Sequence, residues 1–151
     1  MGRRHTALAA IGAAAALLAA GCGSPVPITA RGTVTLYTGL LSGTDVADAY
    51  PDITAGSQVT VTSPSGTVIG TGTLAYSEAG TLKYVMLAAA EDGAATADAL
   101  SDDVAVYTFT VTGLPGGLSR YGFSVGRDRG VVWESPSQAK DPGLTLGSLS
   151  S

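Results

Sequence analysis

Val104-Ala105-Val106-Tyr107-Thr108-Phe109-Thr110-Val111-Thr112 is the stretch that decides the fold class. Tyr107, Phe109 and Val111 take one parity and Thr108, Thr110 and Thr112 the other, which is the two-residue period of a strand with one buried face. β-Branched and aromatic residues fill it, as a pleated, half-buried surface favours. Downstream, Gly113-Leu114-Pro115-Gly116-Gly117 turns the chain, and residues 119–126 repeat the pattern with Tyr121, Phe123 and Val125 on one face. Arg127-Asp128-Arg129-Gly130 makes the next turn, and Val131-Val132-Trp133-Glu134 returns as a partner strand. Residues 136–142 hold at most one helical turn, and the Gly/Leu/Ser tail that follows reads as coil.

Upstream, Gln58-Val59-Thr60-Val61-Thr62 alternates in the same way, Ser63-Pro64-Ser65-Gly66 carries turn chemistry, and residues 67–74 resume a β-rich run. Two runs so joined make a hairpin. A first strand is expected over residues 32–40, with Val34 and Leu36 inward, followed by a polar loop over residues 42–53. Residues 82–90 mix helix-favouring Ala, Leu and Met with Tyr84-Val85, which tip the reading to a strand. Residues 91–103 are acidic and alanine-rich, and read as a long loop or a short helical turn. Six or seven short strands, 21 glycines and regularly spaced turn signals predict an all-β chain folded as a single antiparallel β-sandwich.

The N-terminus carries an address. Arg3 and Arg4 precede fourteen uncharged residues, 7–20, and then Gly21-Cys22, the single cysteine of the chain. A basic region followed by an apolar region of this length is an export signal. As a helix it would cover only about 21 Å of a roughly 30 Å hydrocarbon core, so it directs the chain rather than spanning the membrane. Leu17-Leu18-Ala19-Ala20-Gly21-Cys22 resembles the bacterial lipoprotein signal, in which small residues precede a cysteine that receives diacylglycerol and becomes the first residue after cleavage. That resemblance implies a lipid on Cys22 and a position on the outer face of the bacterial cell membrane. The expected organisation is a signal peptide over 1–21, a lipidated tether over 22–31, a β-sandwich domain over 32–141 and a tail over 142–151. The two prolines of Gly23-Ser24-Pro25-Val26-Pro27-Ile28-Thr29-Ala30 suit an extended tether of about 25 Å.

Removal of residues 1–21 leaves 130 residues, the size of one domain. Two arginines leave with the signal, so the formal charge moves from −4 to −6. A body this acidic makes nucleic acid a poor partner, and the lipid must do the holding at an anionic leaflet. The only histidine, His5, also lies in the signal, and the only cysteine is Cys22. The expected mature chain therefore lacks the groups for Ser-His-Asp or Cys-His catalysis, for zinc or haem ligation by imidazole or thiolate, and for disulfides. Its remaining chemistry rests on carboxylates, hydroxyls and a few bases, and no cofactor is called for.

Two stretches of the body bear a further resemblance. Tyr50-Pro51-Asp52-Ile53 through Gly56-Ser57-Gln58-Val59-Thr60-Val61 to Gly66-Thr67-Val68-Ile69-Gly70-Thr71-Gly72, with Phe109, Leu114-Pro115, Arg120-Tyr121-Gly122-Phe123-Ser124-Val125-Gly126 and Arg129-Gly130-Val131-Val132-Trp133, resemble a family of small actinobacterial lipoproteins and secreted proteins to which no reaction is attached. The resemblance implies a disulfide in many of its members, whose two cysteines this sequence lacks. The hairpin alone is similar to carboxypeptidase-regulatory-like sandwiches, and an Ig-like arrangement is the other form the strand pattern fits.

Three constellations carry possible chemistry, each beside a plainer reading. Asp45, Asp48 and Asp52, with Asp102 or Asp103 brought near, would offer oxygen ligands to calcium, but the spacing lacks a calcium-loop pattern and a solvated acidic loop is favoured. Glu78 and Glu134 would serve a glycosidase only at a defined separation that sequence does not set. Arg120, Tyr121, Arg127, Arg129 and Trp133 form the best candidate ligand surface, since arginine and aromatic groups together hold carboxylates, phosphates or sugar rings. Its plainer reading, which is favoured, makes Tyr121 and Trp133 core or cross-strand partners and pairs the arginines with Asp128 and Glu134. The expectation is a non-catalytic, lipid-anchored module that binds an envelope protein or a small ligand, or serves the envelope structurally. A carboxylate-based hydrolase or a calcium-dependent module is the alternative.

Overall fold

The computed structural model describes residues 25–38, 44–92 and 102–147. The expected signal segment 1–21, Cys22 and most of the acidic stretch 91–103 lie outside the described residues.

Eight strands form two four-stranded sheets among the described residues. In chain order they are β1 (Ile28–Tyr37), β2 (Gln58–Thr62), β3 (Val68–Thr73), β4 (Ala75–Tyr76), β5 (Val104–Leu114), β6 (Tyr121–Val125), β7 (Val132–Glu134) and β8 (Gly143–Leu146). One sheet runs β4-β5-β1-β8 and the other β3-β2-β6-β7. Both contribute to one apolar cluster, which takes Val34, Leu36, Phe109 and Val111 from the first sheet and Val59, Val61, Phe123 and Val125 from the second. The chain passes from the second sheet to the first at Leu74, which is buried in the same cluster.

The deciding stretch is β5, and its composition records what covers each face. Phe109, Val111 and Leu114 point into the shared cluster, while Thr108, Thr110 and Thr112 are exposed. At its start, Val104, Ala105 and Val106 are all buried, because a helix covers the second face there. An apolar run gives way to alternation where that cover ends.

That helix corrects the expectation of a strand over residues 82–90. Two helices are described: α1 (Val46–Ala49) is a single turn, and α2 (Glu78–Asp92) is fifteen residues long. Ser77 starts α2 by accepting the Gly80 N–H on its Oγ at 3.1 Å, an N-cap bond. Thr81, Tyr84, Val85 and Ala89 follow at helical spacing and pack on Tyr37, Val104 and Val106. The opposite face carries exposed Leu82, Met86 and Leu87. Apolar residues therefore lie on both sides of α2, which erases the periodicity that marks an amphipathic helix in sequence.

Two further expectations are corrected at the chain ends. β1 begins at Ile28, inside the stretch expected to be a tether, and pairs antiparallel with β5 from Leu114. Residues 143–146, expected as coil, form β8, whose Leu144 is buried and which pairs in parallel with β1. The single helical turn expected before it is the 3-10 turn Gln138–Lys140, with Ala139 fully buried. The first sheet is thus mixed, not purely antiparallel as expected, while the second is antiparallel throughout.

Gly70 and Gly72 of β3 face the cluster between exposed Thr71 and Thr73. A Cβ at Gly70 would stand 2.6 Å from Leu114 Cδ2, and one at Gly72 would stand 2.6 Å from the Thr110 carbonyl oxygen. The glycines let β3 lie close against β5 of the other sheet.

Candidate binding surface

The loop between β6 and β7 is held by one carboxylate from a distant part of the chain. Gly126 and Gly130 take positive φ of 71° and 78°, and Asp128 takes 55°, a left-handed conformation that Asp tolerates better than most residues. Asp52 projects into the space that Gly126 leaves by having no side chain. Its Oδ2 accepts the Arg127 backbone N–H at 2.7 Å, and its Oδ1 accepts Arg129 Nη2 at 2.6 Å. The Arg129 guanidinium also lies 4.7 Å from the Tyr50 ring centre, and the Tyr50 hydroxyl donates to the Tyr37 carbonyl at 3.2 Å. The hydrogen bonds from Arg129 and from the Arg127 N–H hold the Asp52 carboxyl down at about 2.

Beside this clamp is a groove of about 330 Å³ lined by Asp52, Ser57, Gln58, Thr60, Ser124 and Arg127. Thr60 and Ser124 pair across β2 and β6, so both point away from the apolar cluster. Arg127 spends its backbone N–H on Asp52, while no partner is found for its guanidinium among the described residues. The groove thus offers hydroxyls, an amide and one cation to a polar ligand.

The other members of the predicted surface go elsewhere. Tyr121 is a core residue, with its hydroxyl donating to the Pro115 carbonyl at 2.7 Å. Arg120 lies over the exposed Trp133 ring at 4.5 Å, opposite the end of the sheet that holds Arg127 and Arg129. The five residues therefore divide into a core tyrosine, a stacked Arg120–Trp133 pair and the Arg127–Arg129 loop. The local pairing expected with Asp128 and Glu134 is replaced by Asp52 for Arg129 and by Trp133 for Arg120.

The acidic candidates do not assemble. Asp45, just before α1, and Asp48 within it are exposed, and α1 is tied to the 102–103 segment by the Val46 N–H to the Asp102 carbonyl at 2.9 Å. Asp103 is buried and accepts Thr38 Oγ1 at 3.3 Å, while Asp52 belongs to Arg129. Among the described residues no three His, Cys, Asp or Glu are grouped to hold a metal ion. Glu78 starts the helix on the first sheet and Glu134 ends the edge strand of the second. Among the same residues, no helix is long and apolar enough to cross a membrane.

Sequence reasoning missed Gln58, Thr60 and Ser124. Their signal was present in the polar parity of β2 and β6, which counts as a surface only once the two strands are known to be neighbours. Comparison with protein-family models, with curated proteins and with solved structures finds no match.

Proposed function

We propose that the chain is a lipid-anchored, extracytoplasmic binding module, held on the outer face of the bacterial cell membrane through Cys22 and folded as a β-sandwich. The observation that carries this reading is the basic and then apolar segment that ends at Gly21-Cys22; the described body begins three positions later, with Pro25 beside Gly117. A β-sandwich is supported by two four-stranded sheets sharing one core. The resemblance to small actinobacterial lipoproteins points the same way. The module's act is binding without catalysis, and its ligand is a polar envelope component bearing a carboxylate or hydroxyls. Arg127 and the groove hydroxyls would meet such a ligand.

The test is the intact mass of the native protein together with metabolic labelling by a fatty-acid analogue. A chain beginning at Cys22 and heavier by a diacylglyceryl group, lost in Cys22→Ser while the body still folds, is expected. Retention of residues 1–21, or cleavage without lipid, overturns the anchor.

A further inference from the structure

The tether is shorter than the sequence implied, which fixes the end of the body that meets the membrane. Pro25 and Val26 lie against Gly117 and Gly116, so only residues 23 and 24 separate Cys22 from chain packed on the body. Three Cα steps reach at most about 11 Å. A lipid on Cys22 would therefore hold the body almost against the bilayer, by the end where β1 starts and β5 finishes.

That proximal end differs from the distal one in surface and in charge. Val68, Thr62, Gly122 and Trp133 form one cross-strand row over β3, β2, β6 and β7, near the start of β6. Gly122 contributes no side chain, and a Cβ there would stand 2.9 Å from Trp133 Cζ3 and 2.6 Å from Val131 Cγ1. The indole and Val131 thus lie over bare strand, with Trp133 39% exposed, Val131 43% and Val68 57%. Val26, 80% exposed, lies where the chain enters the same end. One row further from this end, the same face turns polar, with Thr71, Thr60 and Ser124.

The proximal end carries Arg31, Arg120 and Lys140 against Glu134 and Asp141, a small positive excess. At the distal end, among the described residues, Asp45, Asp48, Asp52, Asp102, Asp103 and Asp128 outnumber Arg127 and Arg129, while Glu78 offsets Lys83 on α2. Against an anionic leaflet this distribution turns the acidic end outward. Tryptophan favours the headgroup layer, where its ring is half in contact with apolar groups. A stacked guanidinium keeps edge N–H groups for a phosphate.

We propose that the proximal end is a membrane-seating surface, with Trp133 in the headgroup layer of an anionic bilayer and Arg120 against lipid phosphates. The proposal rests on Cys22 carrying the lipid. Seating leaves the Arg127 groove facing away from the membrane, open to envelope ligands.

Trp133 is the only tryptophan in the chain, so its fluorescence reports this surface alone. The lipidated protein, its acylation established by intact mass, is reconstituted into vesicles of mixed phosphatidylglycerol and phosphatidylcholine containing lipids brominated near the headgroup. The expected result is a blue-shifted emission cut by roughly half, with reduced access to aqueous iodide. Quenching should be weaker on phosphatidylcholine alone and in Arg120→Gln. A lipidated protein whose Trp133 emission and iodide access match those of the free body overturns the seating and leaves the anchor intact. A chain that carries no lipid overturns both.

Discussion

Arg129 and Asp52 stand 77 positions apart in the chain and meet at 2.6 Å. The contact joins the β6–β7 loop to the turn that leads into β2, and a second bond from the Arg127 N–H makes the carboxylate a two-point clamp. Both side chains are about one quarter exposed, so the ion pair is screened by water but not dispersed by it.

The first prediction concerns acid stability. The Asp52 carboxyl is lowered from 3.8 to about 2 in the folded protein, so the folded state prefers the ionised form. Its contribution is complete above the unfolded value, shrinks as pH falls through that value, and is gone below about 2. Allowing for solvent screening, the clamp contributes on the order of 1 kcal/mol. Asp52→Asn should lower the unfolding free energy read from urea titration by that amount near neutral pH. The difference between wild type and variant should close as pH approaches 2, and a difference independent of pH would contradict the electrostatic origin.

The second prediction concerns the docking of α2. Thr81 Oγ1 donates to the Ser77 carbonyl at 3.0 Å and accepts the Val106 N–H at 3.0 Å, linking the helix to β5 through a buried hydroxyl. Thr81→Val keeps the shape and strands the Val106 N–H, at a cost of about 1–3 kcal/mol. Thr81→Ser should recover most of the loss. Hydrogen exchange would read the effect at Val106 and along α2 before the strands of the second sheet.

The third prediction tests the close approach of the sheets. A methyl group at Gly72 meets the Thr110 backbone carbonyl at 2.6 Å, and backbone cannot move aside as a side-chain tip can. Gly72→Ala should destabilise by about 1–3 kcal/mol, as overpacking does. Gly143→Ala, where nothing lies within 4 Å, should cost much less in the same thermal melt.

What sequence could and could not show follows from these contacts. The alternation in β2, β5 and β6 is a local signal, so their strands, their inward faces and the β2–β3 hairpin were legible. α2 was not, because Leu82, Met86 and Leu87 are apolar on its exposed side and mask the buried Thr81-Val85 face. β8 was not, because Gly143–Leu146 gains its strand character from pairing with β1, more than a hundred positions earlier. The candidate surface was legible as residue types but not as an arrangement. Arg129 chose Asp52 over the adjacent Asp128 because folding brought the distant carboxylate to the space above Gly126.

Gly122 offers the last test, since it sets the position of the exposed indole. A Cβ at this residue would stand 2.7 Å from Thr62 Oγ1 and 2.9 Å from Trp133 Cζ3, and within 2.6 Å of Val131 Cγ1. Trp133 and Val131 lie on the short edge strand or just before it, where little else fixes them, so they should yield before the Thr62–Gly122 pairing does. Gly122→Ala is therefore expected to lift the indole off the sheet and weaken its stacking with Arg120, now 4.5 Å from the ring. In the free body the emission should shift to longer wavelength with greater iodide quenching, for a stability loss of about 1 kcal/mol at a partly exposed edge. If β6–β7 pairing broke instead, the Trp133 change would come with lost exchange protection at the Gly122 and Trp133 amides. Unchanged emission would mean that Gly122 does not position the indole.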